Sequence, residues 1–182
     1  MNFDKRTLPA GLHLVGVPIG TARDITLRAL DTLASADVLA AEDTRSLRKL
    51  MDIHGIPLAG RKMIALHDHS GARAVAGLVA RAQQGAVAYA SEAGMPLIAD
   101  PGFELVSAAR EAGVAVTCAP GPSAVTTALV LSGLGTDAFF FAGFLPSAAG
   151  ARRSALEAHK AIPATLAYYE SPKRLARMLQ DA

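Results

Sequence analysis

The 182-residue chain is 51% apolar and 19% charged with a formal net charge of +2, which excludes a disordered polar chain and supplies a core without disulfides. A single cysteine, Cys118, excludes a disulfide scaffold and any paired-cysteine zinc site; in the apolar run Val114 to Cys118 it is expected to be buried, as suits a reducing cytoplasm. No charge lies between Glu111 and Asp137, yet Pro120, Gly121, Pro122, Gly133 and Gly135 break that stretch, so no membrane span is expected, and no signal-peptide pattern follows Lys5 and Arg6.

Short β-rich apolar runs alternate with longer helical patterns, the sign of βαβ units and a mainly parallel sheet. The first strand is predicted at Leu12 to Val17, followed by a helix capped by Asp24 and running to about Ala36, then a second strand at Asp37 to Ala41. A helix over Thr44 to Ile53 stops at Gly55 and Pro57, and Met63 to Leu66 forms the third strand. An alanine-rich helix over Ala72 to Gln84 ends at Gly85, and Ala86 to Ala90 is the fourth strand. Asp100-Pro101 is expected to start a helix that Gly113 ends, with Val114 to Cys118 as the fifth strand.

Beyond Pro120-Gly121-Pro122 the pattern predicts a buried helix to about Leu131, a strand at Ala138 to Phe144, a helix near Ala151 to Ala161, a strand at Ala164 to Tyr169 and a helix from Pro172. The proline turn divides the chain. Residues 1–120 are expected to form a doubly wound, mainly parallel five-stranded α/β domain. Residues 121–182, with two strands only, are expected to be the start of an incomplete second α/β domain.

In an open parallel sheet, ligands bind beyond the carboxyl ends of the strands. Five loops fall there: Gly16 to Gly20, Ala41 to Arg45, Leu66 to His69, Ser91 to Pro96, and Ala119 to Ser123. The first lacks a dinucleotide fingerprint, since Pro18 and Thr21 stand where that spacing needs glycine. Ser91 to Gly102 holds two glycines and two prolines, which keep backbone amides rigid and open to a polar ligand. A plain connecting turn is the competing interpretation of each loop.

VGVPIGTARDITLRALDTL, AAEDTR, ALHDH, SEAGMPLIADPG, APGPSA, FAGFLP and YYESPKRL occur in this order across nearly the whole chain. Together they resemble the tetrapyrrole methylase family of S-adenosylmethionine-dependent methyltransferases, in particular its members that modify ribosomal RNA. The resemblance implies 2′-O-methylation of a cytidine in small-subunit ribosomal RNA, a homodimer, and a cytoplasmic location. It places the S-adenosyl-L-methionine cofactor beside Pro18, Ile19, Gly20, Glu92, Ala93, Gly94, Met95, Ile98, Ser123, Ala124 and Tyr169. Two departures stand out: Glu92 and Met95 replace an aspartate and a threonine usual in that family, and family members continue well beyond residue 182.

A ribose hydroxyl is a weak nucleophile until its proton is removed or strongly hydrogen-bonded, so a general base is sought among Asp43, Glu170, His67 and His69 at strand ends. Asp43 could instead pair with Arg45 as a structural bridge. His67 and His69 are two residues apart, but no third ligand is near and no metal is expected. His13, His54 and His159 read as ordinary structural positions. Charge is asymmetric, with +4 over residues 45–62, −4 over 82–143 and +3 over 145–182. Arg45, Arg48, Lys49, Arg152 and Arg153 are therefore candidates for binding RNA phosphates, although solvated helix faces would give the same pattern. A tetrapyrrole methylase acting on a small molecule, and a non-catalytic RNA- or cofactor-binding fragment, are the alternatives.

Overall fold

The computed structural model describes residues 2–67 and 70–182, and the chain divides into two compact units that meet in sequence between Ser123 and Ala124. The first unit is built on strands β1 (Gly11–Val15), β2 (Val38–Ala41), β3 (Lys62–Ala65), β4 (Ala86–Ala90) and β5 (Val116–Ala119). Between them run helices α1 (Leu27–Ser35), α2 (Thr44–Ile53), α3 (Ala72–Ala82) and α4 (Phe103–Glu111), and a short 3-10 turn at Ala22–Asp24 precedes α1. All four pairings are parallel, in the order β3-β2-β4-β1-β5.

Why these segments form this sheet follows from their burial. Every residue of β4 is buried, as expected of a strand with a neighbour on both edges and helices on both faces. Its side chains alternate between two cores. Ala88 and Ala90 face a cluster with Leu30, Leu33, Leu47 and Met51 from α1 and α2, whereas Val87 and Tyr89 face one with Val75, Leu78 and Leu105 from α3 and α4. Each large aliphatic side chain so buried contributes about 1.5 to 3 kcal/mol.

Three expectations need correction. The helix after the first strand begins at Leu27, because Asp24 is drawn into the 3-10 turn and the Thr26 hydroxyl caps the helix by accepting from the Ala29 amide at 3.2 Å. Helix α4 begins at Phe103 rather than Pro101; Gly102 occupies its N-cap with φ of 122°, and the Pro101 carbonyl accepts from the buried Tyr89 hydroxyl at 3.0 Å. Cys118 is exposed, not buried. It lies on β5, an edge strand whose middle residues are not covered within this unit.

The second unit, Ala124–Ala182, contains α5 (Ala124–Ser132), β6 (Phe139–Phe144), α6 (Ala149–His159), β7 (Thr165–Tyr169) and α7 (Pro172–Asp181). Strands β6 and β7 form a parallel pair with an irregularity between Phe141 and Phe144, where the Phe141 and Tyr169 rings meet edge to face at 4.7 Å. Helices α6 and α7 are joined by the buried Arg152–Asp181 ion pair. Among the described residues no helix is long and apolar enough to cross a membrane.

Candidate functional site

Parallel pairing sends the loops after all five strands of the first unit to one edge of the sheet. Three of them, after β1, β4 and β5, are locked together. Val17 and Gly94 exchange backbone hydrogen bonds of 2.9 and 3.1 Å, and the Gly16 amide donates to the Ala119 carbonyl at 2.9 Å. The Gly121 amide donates to the Met95 sulfur at 3.2 Å, so the thioether at the position where the resemblance expects threonine fastens the fourth loop to the fifth. Gly94 has φ of 74°, and a Cβ there would stand 3.3 Å from Ile19 Cγ2 and 3.6 Å from the Pro122 carbonyl oxygen.

That joint gathers Pro18, Ile19, Gly20, Glu92, Ala93, Gly94, Met95, Ile98 and Ser123 into loops at one edge of the first unit. Leu97 and Ala99 adopt φ of 71° and 59°, a left-handed conformation that side chains disfavour. Such strain is characteristic of loops that hold ligands. Ala124 and Tyr169 belong to the second unit, where the Tyr169 hydroxyl accepts from the Val125 amide at 3.2 Å.

The candidate bases differ sharply in their surroundings. Asp43 caps α2: its Oδ1 accepts from the Arg45 amide at 2.8 Å and from the Arg45 side chain at 3.3 Å, while the Ser46 hydroxyl donates to Oδ2 at 3.4 Å. The Arg45 amide first, and the Arg45 guanidinium second, hold its carboxyl below the usual carboxylate range. Glu170 is buried at its carboxylate, accepting from the Ser171 amide at 2.7 Å and from Arg174 at 2.9 Å. His67 is exposed, and Ser70 Oγ lies 3.3 Å from its Nδ1. His69 lies outside the described residues. No metal-ligand cluster occurs among the described residues.

Two of the first unit's cavities adjoin the loops that follow its strands. One, of about 220 Å³, lies between the loop after β1 and helix α2 and is lined by Pro18, Gly20, Ser46, Lys49, Ser91 and Glu92 among others. The other, of about 210 Å³, is lined by His67, Ser70, Asp100, Phe103 and Glu104. His67 and Ser46 thus line different cavities. Ser91 and Ser46 are polar residues of the first cavity that sequence reasoning did not single out, since a serine beside a glycine-rich loop carries no signal of its own.

The basic residues also separate. Arg45 and Lys49 are exposed on α2, and Arg48 pairs with Asp52 one turn on, at 2.9 Å. Arg61, counted in the same basic stretch, is instead spent on backbone: it donates to the carbonyls of Leu33, Ala36, Pro57 and Leu58 at 2.6 to 3.0 Å. Arg152 is a correction. Its side chain is 5% exposed and bonded to Asp181 and to the Ser147 carbonyl, because α6 packs it beneath α7, so it offers no phosphate contact. Arg153, 64% exposed beside the same aspartate, retains a free face.

The profile of the tetrapyrrole (corrin/porphyrin) methylases matches residues 11–182. The chain is 52% identical over 175 residues to ribosomal RNA small subunit methyltransferase I of Mesorhizobium japonicum, covering 96% of this chain and 58% of that protein. It is 46% identical over 182 residues to the protein of the same name from Vibrio cholerae, covering 98% of this chain and 62% of the relative. The chain therefore spans about three-fifths of the length of these relatives. The crystal structure of cobalt precorrin-4 methyltransferase shares the fold, with a TM-score of 0.65 at 18% identity over 93% of this chain and 72% of that one. The parallel sheet, the three joined loops and the match along nearly all of the sequence agree: the chain belongs to the tetrapyrrole methylase family.

Proposed function

We propose that the protein is an S-adenosylmethionine-dependent methyltransferase that methylates the ribose 2′-hydroxyl of a cytidine in small-subunit ribosomal RNA, acting in the cytoplasm as a homodimer. The observation that carries this reading is the joint of the loops after β1, β4 and β5, in a chain about half identical to proteins named as ribosomal RNA methyltransferases.

The loops fit the cofactor. Gly94 leaves a cradle that a larger residue would fill against Ile19, Gly20 faces open space, and the half-exposed Ile98 offers an apolar surface to an adenosyl or methionyl group. When bound, the cofactor supplies an electrophilic methyl group on a sulfonium. The protein's part is chiefly to position donor and acceptor, because reacting atoms held in line remove much of the entropic barrier. Loop strain and the Gly16–Gly121 contact serve that end by leaving the cradle little freedom to relax. Asp43, kept ionised by Arg45, is assigned to accept a hydrogen bond from the acceptor hydroxyl and draw off its proton. Arg45, Arg48, Lys49 and Arg153 hold the RNA backbone.

Calorimetric titration with S-adenosylhomocysteine, paired with transfer of labelled methyl groups to small ribosomal subunits from cells lacking the endogenous enzyme, tests this. Cofactor binding and label on a cytidine ribose are expected. Absence of binding, or label appearing only on an added tetrapyrrole, overturns it.

A further inference from the structure

Ser91 lines the cavity between the loop after β1 and α2, yet its hydroxyl is buried and has no hydrogen-bond partner among the described residues. A buried unpaired hydroxyl is costly and calls for a partner that the fold does not supply. The cavity around it combines an apolar wall of Val17, Pro18 and Leu50 with three polar residues: Ser46, the acidic Glu92, and Lys49, which is exposed and makes no ion pair among the described residues. Two kinds of surface therefore meet there: the loops assigned to the cofactor, and the helix that carries Arg45, Arg48 and Lys49.

We infer that this cavity seats the acceptor nucleotide itself, with its phosphate on Lys49, its sugar against Ser91 and Ser46, and its base on the apolar wall; the inference rests on the reading of the protein as an RNA ribose methyltransferase. At about 220 Å³ the space admits one nucleoside and no helical segment, so the acceptor enters extruded from its neighbours. Lys49 is suited to the phosphate because it is a compact, mobile charge on an exposed helix face. Ser91 can both donate to and accept from a sugar hydroxyl. Asp43 accepts from the hydroxyl of Ser46, a residue that lines the cavity.

The test uses the full chain saturated with S-adenosylhomocysteine and titrated with cytidine 5′-monophosphate, with cytidine, and with a single-stranded RNA 12-mer. Ala22→Leu in the cavity lining should abolish binding of both small ligands. Ser91→Ala should weaken both by several-fold, and Lys49→Gln should weaken the monophosphate about tenfold while sparing cytidine, as loss of one charge-assisted hydrogen bond would. Melting curves establish that each variant is folded. Equal affinities in all three variants, with RNA still bound, would overturn the cavity assignment and leave the RNA reading intact. Failure of the wild-type chain to bind either RNA or nucleotide would remove both. Competition between cytidine monophosphate and S-adenosylhomocysteine would assign the cavity to the donor and overturn the inference.

Discussion

A side chain at Gly16 would place its Cβ 2.6 Å from the backbone nitrogen of Gly121, a separation that real Cβ atoms do not reach. At Gly16 and Gly121 the first and fifth loops touch backbone to backbone, and neither can retreat without breaking the Gly16–Ala119 hydrogen bond. Gly16→Ala is expected to lower stability by about 1 to 3 kcal/mol, the usual cost of overpacking a close contact. Urea denaturation measures it; an unchanged midpoint would show that the joint is slack. S-adenosylhomocysteine affinity should fall in the same variant.

The strain at Ala99 makes the opposite prediction. Glycine tolerates φ of 59° where alanine does not, so Ala99→Gly is expected to leave stability unchanged or raise it by up to about 1 kcal/mol, against the usual penalty for introducing glycine. A clear loss in a thermal melt would mean that the conformation is not strained.

Arg152 and Arg153 are adjacent in sequence and opposite in consequence. Arg152→Ala leaves Asp181 buried without its main partner and should cost about 3 to 5 kcal/mol in the second unit. Arg153→Ala should cost little stability but flatten the log–log salt dependence of RNA binding by about one unit, provided it touches one phosphate. Denaturation curves and salt titrations of the two variants should therefore exchange their effects.

Asp43 supplies a pH test. Its carboxyl is held below the ordinary range in the folded protein, so its contribution to stability is present above the unfolded-state value of about 3.9 and is lost as pH falls through the lower folded value. Asp43→Ala should melt at a lower temperature than wild type at pH 7, and the two should converge as the solution is taken below about pH 4. Asp43→Asn, which keeps a capping oxygen, should retain most of the stability while losing methyl transfer; full activity in that variant would remove Asp43 from the reaction.

The order and type of the elements were legible because β4 reads as an unbroken apolar run and α3 as an alanine-rich amphipathic pattern closed by glycine. The glycine- and proline-rich strand ends pointed to the loops that meet at the joint. What could not be read was where side chains go once distant segments meet. Arg61 looks like one more surface cation, but its four carbonyl partners come from α1, the Ala36 that caps it, and the loop after α2. Arg152 matches its neighbour in type and differs only in which way the helix turns it. Cys118 sits in an apolar run, yet hydrophobic sequence cannot say that its strand is an edge. The cap of α1 passed from Asp24 to Thr26 because the 3-10 turn consumed the aspartate, a competition between two local hydrogen-bonding schemes that composition leaves open.

The strand order has a consequence for how the chain is made. Strand β4 lies between β1 and β2, so the centre of the sheet cannot close until residues 86–90 have left the ribosome, and β1 waits about 75 residues for its partner. Until then β1 and β2 expose two apolar edges that are not complementary neighbours in the final sheet. Before that segment emerges only the β2–β3 pair of the sheet can form, and the joining of β1 to that pair should follow abruptly on the emergence of a single five-residue segment.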